Sequence, residues 1–173
     1  MPPTDGLKVA RSSIHGYGLY VTRRFVVGEI ITHAEGVVWQ EHDEFDDTYA
    51  LVLPSYTVDA AGVAQDDYDT SVYFDLVDQT RWINHSCEPN TEVDAAWDAE
   101  TGALRAWWVA LRDLEPGDEL LYDYAFSGHI AQPCACDAAS CRGLIVDPDP
   151  AELAAVPEHL MPLLRLTPVR HAP

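Results

Sequence analysis

The stretch Arg81-Trp82-Ile83-Asn84-His85-Ser86-Cys87-Glu88-Pro89-Asn90 places two amides, an imidazole, a hydroxyl and a thiol around one proline within ten residues. Asn and Ser side chains compete for nearby backbone hydrogen bonds, and Pro89 removes a backbone donor, so the stretch is a poor helix and a poor core segment. The sequence therefore predicts a shaped loop whose polar groups are directed at a ligand.

Length and composition predict one soluble globular domain. A chain of 173 residues is long enough for a single domain with a sizeable core, and no window approaches the ~20 apolar residues that span a bilayer. The first six residues lack the basic region and the apolar stretch of a secretory signal, which favours a reducing, intracellular compartment.

The charge pattern favours a basic protein partner. The formal net charge is −19, whereas a surface for nucleic acid needs clustered Lys and Arg, so direct nucleic-acid binding is disfavoured and no membrane partner is expected. Residues 41–78 hold eleven Asp and Glu and neither Lys nor Arg. A solvated acidic face, or an acid-rich proteome, explains that run without any partner.

Short β-rich runs with turn punctuation fill residues 7–39. Gly16 and Gly18 bracket Tyr17 there, which permits positive φ and close approach of a ligand to the backbone, although an ordinary hairpin turn explains the same pattern. Alternation over residues 91–98 and 104–112 predicts an antiparallel strand pair.

The remaining local patterns predict one helix, two loops and a tail. Residues 41–48 can form a short acidic helix, and residues 58–72 have the composition of turn and loop. Pro116-Gly117 suits the centre of a type II turn. Apolar and proline spacing from residue 147 predicts one or two short helices packed on the domain.

Tyr122, Tyr124 and Phe126 would share one side of an extended segment. A core stripe is the common explanation for such a pattern. Two phenols on one side nevertheless need partners for their hydroxyls, which makes a polar channel an alternative.

The chain's four cysteines suit one tetrahedral zinc site. Cys134, Cys136 and Cys141 lie within eight residues, and Cys87 lies in the central loop. Four thiolates in a reducing compartment favour a closed structural zinc over buried thiols or a labile disulfide. Such a metal would join the C-terminal segment to the central loop.

Three motifs and this cysteine cluster resemble those of SET-domain protein lysine methyltransferases. The motifs are Gly16-Tyr17-Gly18-Leu19, Asn84-His85-Ser86-Cys87-Glu88-Pro89-Asn90 and Glu119-Leu120-Leu121-Tyr122-Asp123-Tyr124, and residues 134–143 resemble the family's post-SET segment. The resemblance implies a mainly β fold, the SET-domain β-clip of small curled sheets around a pseudoknot, with few short helices and a zinc-bound post-SET segment at the C-terminus. It divides the chain into a SET domain at 7–128, a post-SET segment at 129–146 and a helical tail at 147–173.

The resemblance also implies the site residues. S-adenosylmethionine would be bound by the backbone of Gly16, Tyr17 and Gly18 and by Asn84 and His85. One structural zinc would be held by the set Cys87, Cys134, Cys136 and Cys141. Arg81 and Asn90 are expected to brace the pseudoknot.

The implied reaction is methyl transfer from S-adenosylmethionine to the ε-amine of a protein lysine. A lysine amine has a pKa near ~10.4 and attacks only when neutral, so the site must align the neutral amine with the methyl group. Tyr124 matches the family's catalytic tyrosine. Tyr122 stands where the family carries Phe or Tyr, and a phenol there leaves less room for added methyls, so we expect mono- or dimethylation.

The substrate is expected to be a basic protein or lysine-containing peptide, for example a histone, a histone-like protein or a ribosomal protein. The family's pre-SET cysteine cluster is missing, which argues against dedicated histone specificity. Such a substrate would place the protein in the cytoplasm or, through the substrate, with chromatin or nucleoid. The alternative is a non-catalytic SET-like module that binds a basic protein, but retention of Asn84, His85 and Tyr124 argues against it.

Overall fold

The computed structural model describes residues 6–40, 42–61, 64–98 and 100–165. Its strands are β1 Leu7–Arg11, β2 Tyr17–Val21, β3 Ile30–Ala34, β4 Gly36–Gln40, β5 Ala50–Val58, β6 Ala64–Leu76, β7 Asn84–His85, β8 Thr91–Asp98, β9 Ala103–Ala110, β10 Leu121–Tyr122, β11 Gln132–Pro133 and β12 Leu144–Ile145. One α-helix, α1, covers Pro150–Ala154, and 3-10 turns cover Gln79–Trp82, Gly128–Ile130 and Met161–Leu163. No helix in the described ranges is long and apolar enough to cross a bilayer.

The strands form small sheets rather than one large sheet. Two antiparallel sheets have three strands each, in the orders β3-β9-β8 and β4-β6-β5. Strands β1 and β2 pair antiparallel, as do β11 and β12, whereas β7 and β10 pair in parallel. These small sheets and few helices confirm the mainly β fold that the resemblance implied.

The central loop crosses the third motif at the parallel pair of β7 and β10. The side-chain amide of Asn90 closes the crossing, because its Oδ1 accepts from the backbone N–H of Leu121 at 2.9 Å and its Nδ2 donates to the carbonyl of Glu119 at 2.7 Å. The backbone N–H of Ser86 donates to the carbonyl of Tyr122 at 3.0 Å. Asn90 therefore braces the crossing, as expected.

The main core lies between the two three-stranded sheets and the β1-β2 pair. Trp108 on β9 is fully buried, together with Phe25, Leu19, Ile83, Leu114 and Leu120. The predicted antiparallel pair is present as β8 and β9. The predicted turn is also present: the N–H of Asp118 donates to the carbonyl of Glu115 across Pro116-Gly117, and Gly117 has φ 101°.

The prediction of an acidic helix at residues 41–48 is wrong for residues 42–48, which the structure describes. Residues 42–49 form turns and irregular backbone, and residue 41 lies outside the described residues. Carboxylates bind the backbone locally instead: Asp43 accepts from the N–H of Gln40 at 2.8 Å and Asp46 from that of Thr48 at 3.1 Å. Such bonds compete with helix formation. Phe45 stacks on Trp39 of β4 at 5.2 Å between ring centroids, which fixes the segment on the sheet.

The loop predicted at residues 58–72 is wrong for residues 64–72, which are strand, whereas residues 59–61 form turn and irregular backbone and residues 62–63 lie outside the described residues. Strands β5 and β6 extend through most of it as one long antiparallel hairpin, with a register shift between Pro54 and Ser55. The Asp-rich sequence has low intrinsic strand preference, but long-range pairing overrides it. The hairpin also packs on β8, since the rings of Tyr56 and Trp97 lie 4.4 Å apart.

The C-terminal segment packs through a second, small core. Ala131, Leu144, Val146 and Val156 are buried together there. Helix α1 begins after Asp149, whose carboxylate accepts from the N–H of Ala151 at 2.7 Å. Helix α1 and the 3-10 turn Met161–Leu163 are the short helices of this segment, and residues 166–173 lie outside the described residues.

Candidate active site and cysteine cluster

The glycine loop before β2 is attached to the crossing by Asn84. The Nδ2 of Asn84 donates to the carbonyl of Tyr17 at 2.8 Å and lies 3.2 Å from the carbonyl of His15. Gly16 has φ 49°, and a Cβ there would meet no atom within 4 Å. Tyr17 is 43% exposed. The loop therefore presents open backbone that Asn84 holds in place.

Glu119 is a site residue that sequence analysis missed. Its Oε1 accepts from Asn84 at 2.9 Å, and its Oε2 accepts from the hydroxyl of Tyr20 at 2.9 Å. A Cβ added to Gly18 would collide with this carboxylate. Burial and then the bond to Glu119 raise the pKa of Tyr20. The carboxylate thus fills the space that Gly18 leaves open and joins all three motifs.

The rings of Tyr122 and Tyr124 contact each other beyond the crossing, tilted by 44°. Their ring centroids are 4.6 Å apart, and the hydroxyl of Tyr124 donates to the carbonyl of Ile83 at 2.9 Å. Trp108 packs edge-on against Tyr122 at 4.8 Å. Burial raises the pKa of Tyr124 to about 12, and neighbouring Tyr49 adds to the effect. Burial also raises the pKa of Tyr122. Both phenols are therefore protonated at neutral pH.

Tyr49 is a second missed residue. It lies near Tyr124, packs edge-on against Trp82 at 5.7 Å between centroids, and carries the guanidinium of Arg81 over its ring at 4.2 Å. Arg81 was expected to brace the pseudoknot, but its side chain instead covers this tyrosine. A third phenol thus adjoins the Tyr122–Tyr124 pair.

His85 connects the tyrosines with the cysteines. Its Nδ1 accepts from the backbone N–H of Tyr124 at 3.2 Å, so the neutral ring carries its proton on Nε2, which lies 3.4 Å from the Sγ of Cys87. Burial lowers the pKa of His85 to about 4, against the opposing effect of Asp123. Because both ring nitrogens are engaged, a ligand beside His85 would meet its backbone and the face of its ring.

The four cysteines converge behind His85. The thiols of Cys87 and Cys134 are 3.9 Å apart, and Cys141 lies within hydrogen-bonding reach of Cys134 and Cys136. The ligand atoms of His85, Cys87, Cys134 and Cys136 all lie within 4.8 Å of one another. The geometry alone therefore offers either Cys141 or His85 beside the other three cysteines. The bond from Tyr124 to Nδ1 argues against His85, because the neutral ring then carries its proton on Nε2 and has no free lone pair for a metal.

Backbone N–H groups surround the sulfurs. Arg142 N–H donates to the Sγ of Cys87 at 3.4 Å, Cys87 N–H to that of Cys136 at 3.5 Å, and Gly143 N–H to that of Cys141 at 3.3 Å. Burial raises the pKa of Cys87 to about 11. Burial would also raise the pKa of Cys136, but the backbone donors outweigh it and lower the value to about 7. Donors aimed at sulfur favour thiolates, the form that binds zinc.

Comparisons with known proteins agree with this arrangement. A family model described as SET domain matches residues 16–125. Histone-lysine N-methyltransferase 2B of Homo sapiens is 32% identical over 80% of this chain, and an H3 lysine-4 specific histone-lysine N-methyltransferase of Cryptococcus neoformans var. neoformans is 33% identical over 79%. Histone-lysine N-methyltransferase Set2 of Drosophila melanogaster is 43% identical over 38%. The chain spans only 5%, 9% and 3% of these relatives' lengths.

A solved structure gives the same fold. The crystal structure of KRYPTONITE in complex with mCHH DNA, H3(1-15) peptide and SAH superposes with a TM-score of 0.60. The match has 24% sequence identity and covers 80% of this chain and 29% of that one. With more than half of its length matched by the family model, and with the three motifs meeting at one crossing, this chain belongs to the SET domain family.

Proposed function

We propose that this chain transfers a methyl group from S-adenosylmethionine to the ε-amine of a lysine in a basic protein. The observation that carries the proposal is the position of Tyr124, whose hydroxyl is fixed on the carbonyl of Ile83 at the crossing, 4.6 Å ring to ring from Tyr122. Family membership and relatives named as histone-lysine methyltransferases support the reaction class.

Gly16, Tyr17, Gly18, Asn84 and His85 would hold the cofactor. The loop fits this role because the Cβ position of Gly16 is open and the neighbouring carbonyls are already held by Asn84. His85 would contribute its backbone and ring face, since its nitrogens are engaged. The sulfonium supplies the leaving-group activation when bound, so the protein's task is to orient the amine.

Tyr124 would align the amine without taking its proton. A phenol with a pKa of about 12 stays protonated at neutral pH, and its hydrogen is directed at the carbonyl of Ile83. The oxygen lone pairs remain for a hydrogen bond from the substrate amine. The proton of the lysine ammonium would then leave through solvent.

Tyr122 would limit the product to mono- or dimethyl-lysine. Its ring is backed by Trp108 at 4.8 Å, a fully buried indole, so it cannot retreat when the amine gains methyls. The phenol oxygen then occupies volume that a third methyl group would need.

The four cysteines would hold one structural zinc. Three thiols from residues 134–141 and one from the central loop give the donor set of a closed tetrahedral site, and the surrounding N–H groups favour thiolates. Such a site would fix the C-terminal segment beside His85 and Tyr124. It would leave no open position for catalysis by the metal.

The substrate class follows from charge. Exposed carboxylates of residues 43–47 lie on the segment that ends at Tyr49, beside the tyrosine pair. A lysine-bearing basic protein, such as a histone, a histone-like protein or a ribosomal protein, complements this surface. Such a substrate would place the enzyme inside the cell, in the cytoplasm or with chromatin or nucleoid.

The test compares wild type, Tyr124→Phe and the control Tyr73→Phe, which removes a phenol from the outer face of β6. Each is incubated with methyl-labelled S-adenosylmethionine and a panel of basic proteins, and products are identified by mass spectrometry. We expect label on lysine with wild type and Tyr73→Phe and at least a hundredfold less with Tyr124→Phe. If the wild type neither labels any protein nor binds the cofactor, the proposed enzyme is refuted in favour of a non-catalytic binding module.

A further inference from the structure

An enclosed ion pair joins the cysteine-rich segment to the third motif. The Nη2 of Arg142 donates to the Oδ1 of Asp123 at 2.7 Å, and the two side chains are only 15% and 25% exposed. Most other arginine–carboxylate pairs in the described part of the chain are more exposed, for example Arg105 with Asp98. Desolvated charges of this kind hold their geometry tightly, because neither can be left unpaired cheaply.

The backbone of Arg142 belongs to the cysteine cluster. The residue directly follows Cys141, and its N–H donates to the Sγ of Cys87 at 3.4 Å. Its carbonyl accepts from the N–H of Arg165 at 2.7 Å. The position of the guanidinium is therefore set by whether the cluster is closed and the C-terminal segment is in place.

Asp123 controls the turn that carries the tyrosines. It lies between Tyr122 and Tyr124, and its Oδ1 also accepts from the N–H of Ala125 at 3.1 Å. Ala125 has φ 46°, a left-handed conformation that costs energy for a residue with a Cβ. The same oxygen thus receives Arg142 and stabilises the strained turn after Tyr124.

We propose that Arg142 is a positioning residue, which ties closure of the cysteine cluster to the orientation of Tyr122 and Tyr124 through Asp123. The tyrosine turn reaches its working geometry only when the cysteine-rich segment is folded onto the site. The catalytic consequence rests on the proposed function, whereas the coupling of the two segments does not. A purely anchoring role would make Arg142 important for stability and leave the tyrosine turn unchanged.

Hydrogen exchange tests the coupling without activity. Arg142→Ala is compared with Arg105→Ala, which removes an arginine from an exposed pair, and zinc content is measured in both. We expect amides of residues 121–126 to exchange at least tenfold faster in Arg142→Ala, with β9 unchanged and zinc retained. Unchanged exchange at residues 121–126 overturns the proposal. Should Arg142→Ala fail to fold, Asp123→Asn, which keeps the side-chain size, is measured by the same criterion.

Kinetics tests the consequence. We expect Arg142→Ala and Asp123→Asn each to lower kcat by ten- to a hundredfold with cofactor Kd within twofold of wild type, and Arg142→Lys to restore part of kcat. The double variant should be no slower than the slower single variant, because both break one pair. A double variant whose loss of kcat equals the product of the two single losses would contradict a positioning role. Variants that weaken cofactor binding and leave kcat unchanged would also contradict it. A wild type that methylates nothing refutes the proposed function but leaves the exchange result to decide the coupling.

Discussion

The side-chain amide of Asn84 donates to the carboxylate of Glu119 at 2.9 Å, which joins the central loop to the third motif. The other oxygen of that carboxylate receives the hydroxyl of Tyr20, next to the glycine loop. The side chain of Glu119 thus joins three segments that are far apart in sequence. The glycine loop and the tyrosine segment are consequently fixed relative to each other by the chain's own contacts.

Glu119→Ala is expected to weaken cofactor binding about tenfold and to lower the free energy of unfolding by about 1–3 kcal/mol. The substitution removes two hydrogen bonds to a charged acceptor, although Asn84 keeps its bond to the carbonyl of Tyr17 and Tyr20 keeps its bond to the carbonyl of Arg11. Calorimetry with S-adenosylhomocysteine and thermal unfolding measure the two effects. Glu92→Ala, on the exposed face of β8, is the control, and equal behaviour of the two variants would contradict this role for Glu119.

The parts of the fold that sequence analysis predicted are those whose signal is local. The β8-β9 pair follows from alternation, and the turn at Pro116-Gly117 follows from the two residues that form it. The convergence of Cys87 with the C-terminal cysteines followed from counting thiols, which zinc chemistry makes informative.

The parts that were missed depend on distant partners. Residues 64–72 belong to β6 because β5 and β6 pair with each other across a long hairpin, against the preference of their Asp-rich sequence. Glu119 is one of 29 acidic residues, and only its place in the third motif, two residues before β10, distinguished it. Tyr49 had no local signal, because its contact with the tyrosine pair is made by the fold.

The phenol of Tyr124 is expected to stay protonated through pH 10. Its pKa of about 12 in the folded protein exceeds the ordinary value near 10, so folding stability from this group is present below pH 10 and is lost as pH rises towards 12. The difference in phenolate absorbance between the wild type and Tyr124→Phe measures the titration of Tyr124 directly. We expect no difference step between pH 8 and 10.5. A step near pH 9 would instead make Tyr124 a candidate proton acceptor.

Tyr122→Phe is expected to shift the product towards trimethyl-lysine. Loss of the hydroxyl frees volume and a hydrogen-bonding position beside Tyr124, while the ring continues to pack on Trp108. Mass spectrometry of the substrate over a time course gives the distribution of methyl states. Trimethyl-lysine as the main wild-type product, unchanged in the variant, would contradict this role.

Native protein is expected to contain one zinc and no thiol that reacts with Ellman's reagent, and four reactive thiols after chelation and denaturation. The thiol count does not separate the two donor sets, because Cys141 is buried whether or not it binds the metal. X-ray absorption at the zinc edge separates them, because a site using His85 in place of Cys141 would show one nitrogen and three sulfur ligands. Removal of zinc should also raise protease sensitivity of residues 129–146, since thiolate–metal bonds supply their folding free energy. Four reactive thiols in zinc-loaded native protein would refute the site.

The exposed carboxylates near Tyr49 are expected to speed encounter with a basic protein. The double variant Glu44→Gln/Asp47→Asn removes two charges, and we expect kcat/KM on a basic protein to fall about two- to threefold at low salt. The difference should vanish near 1 M salt, where the screening length is about 3 Å. The control Asp94→Asn/Glu158→Gln changes net charge equally on exposed positions elsewhere. If both double variants show the same salt dependence of kcat/KM, the effect is due to net charge. If Glu44→Gln/Asp47→Asn keeps the salt dependence of the wild type, this segment does not steer the substrate.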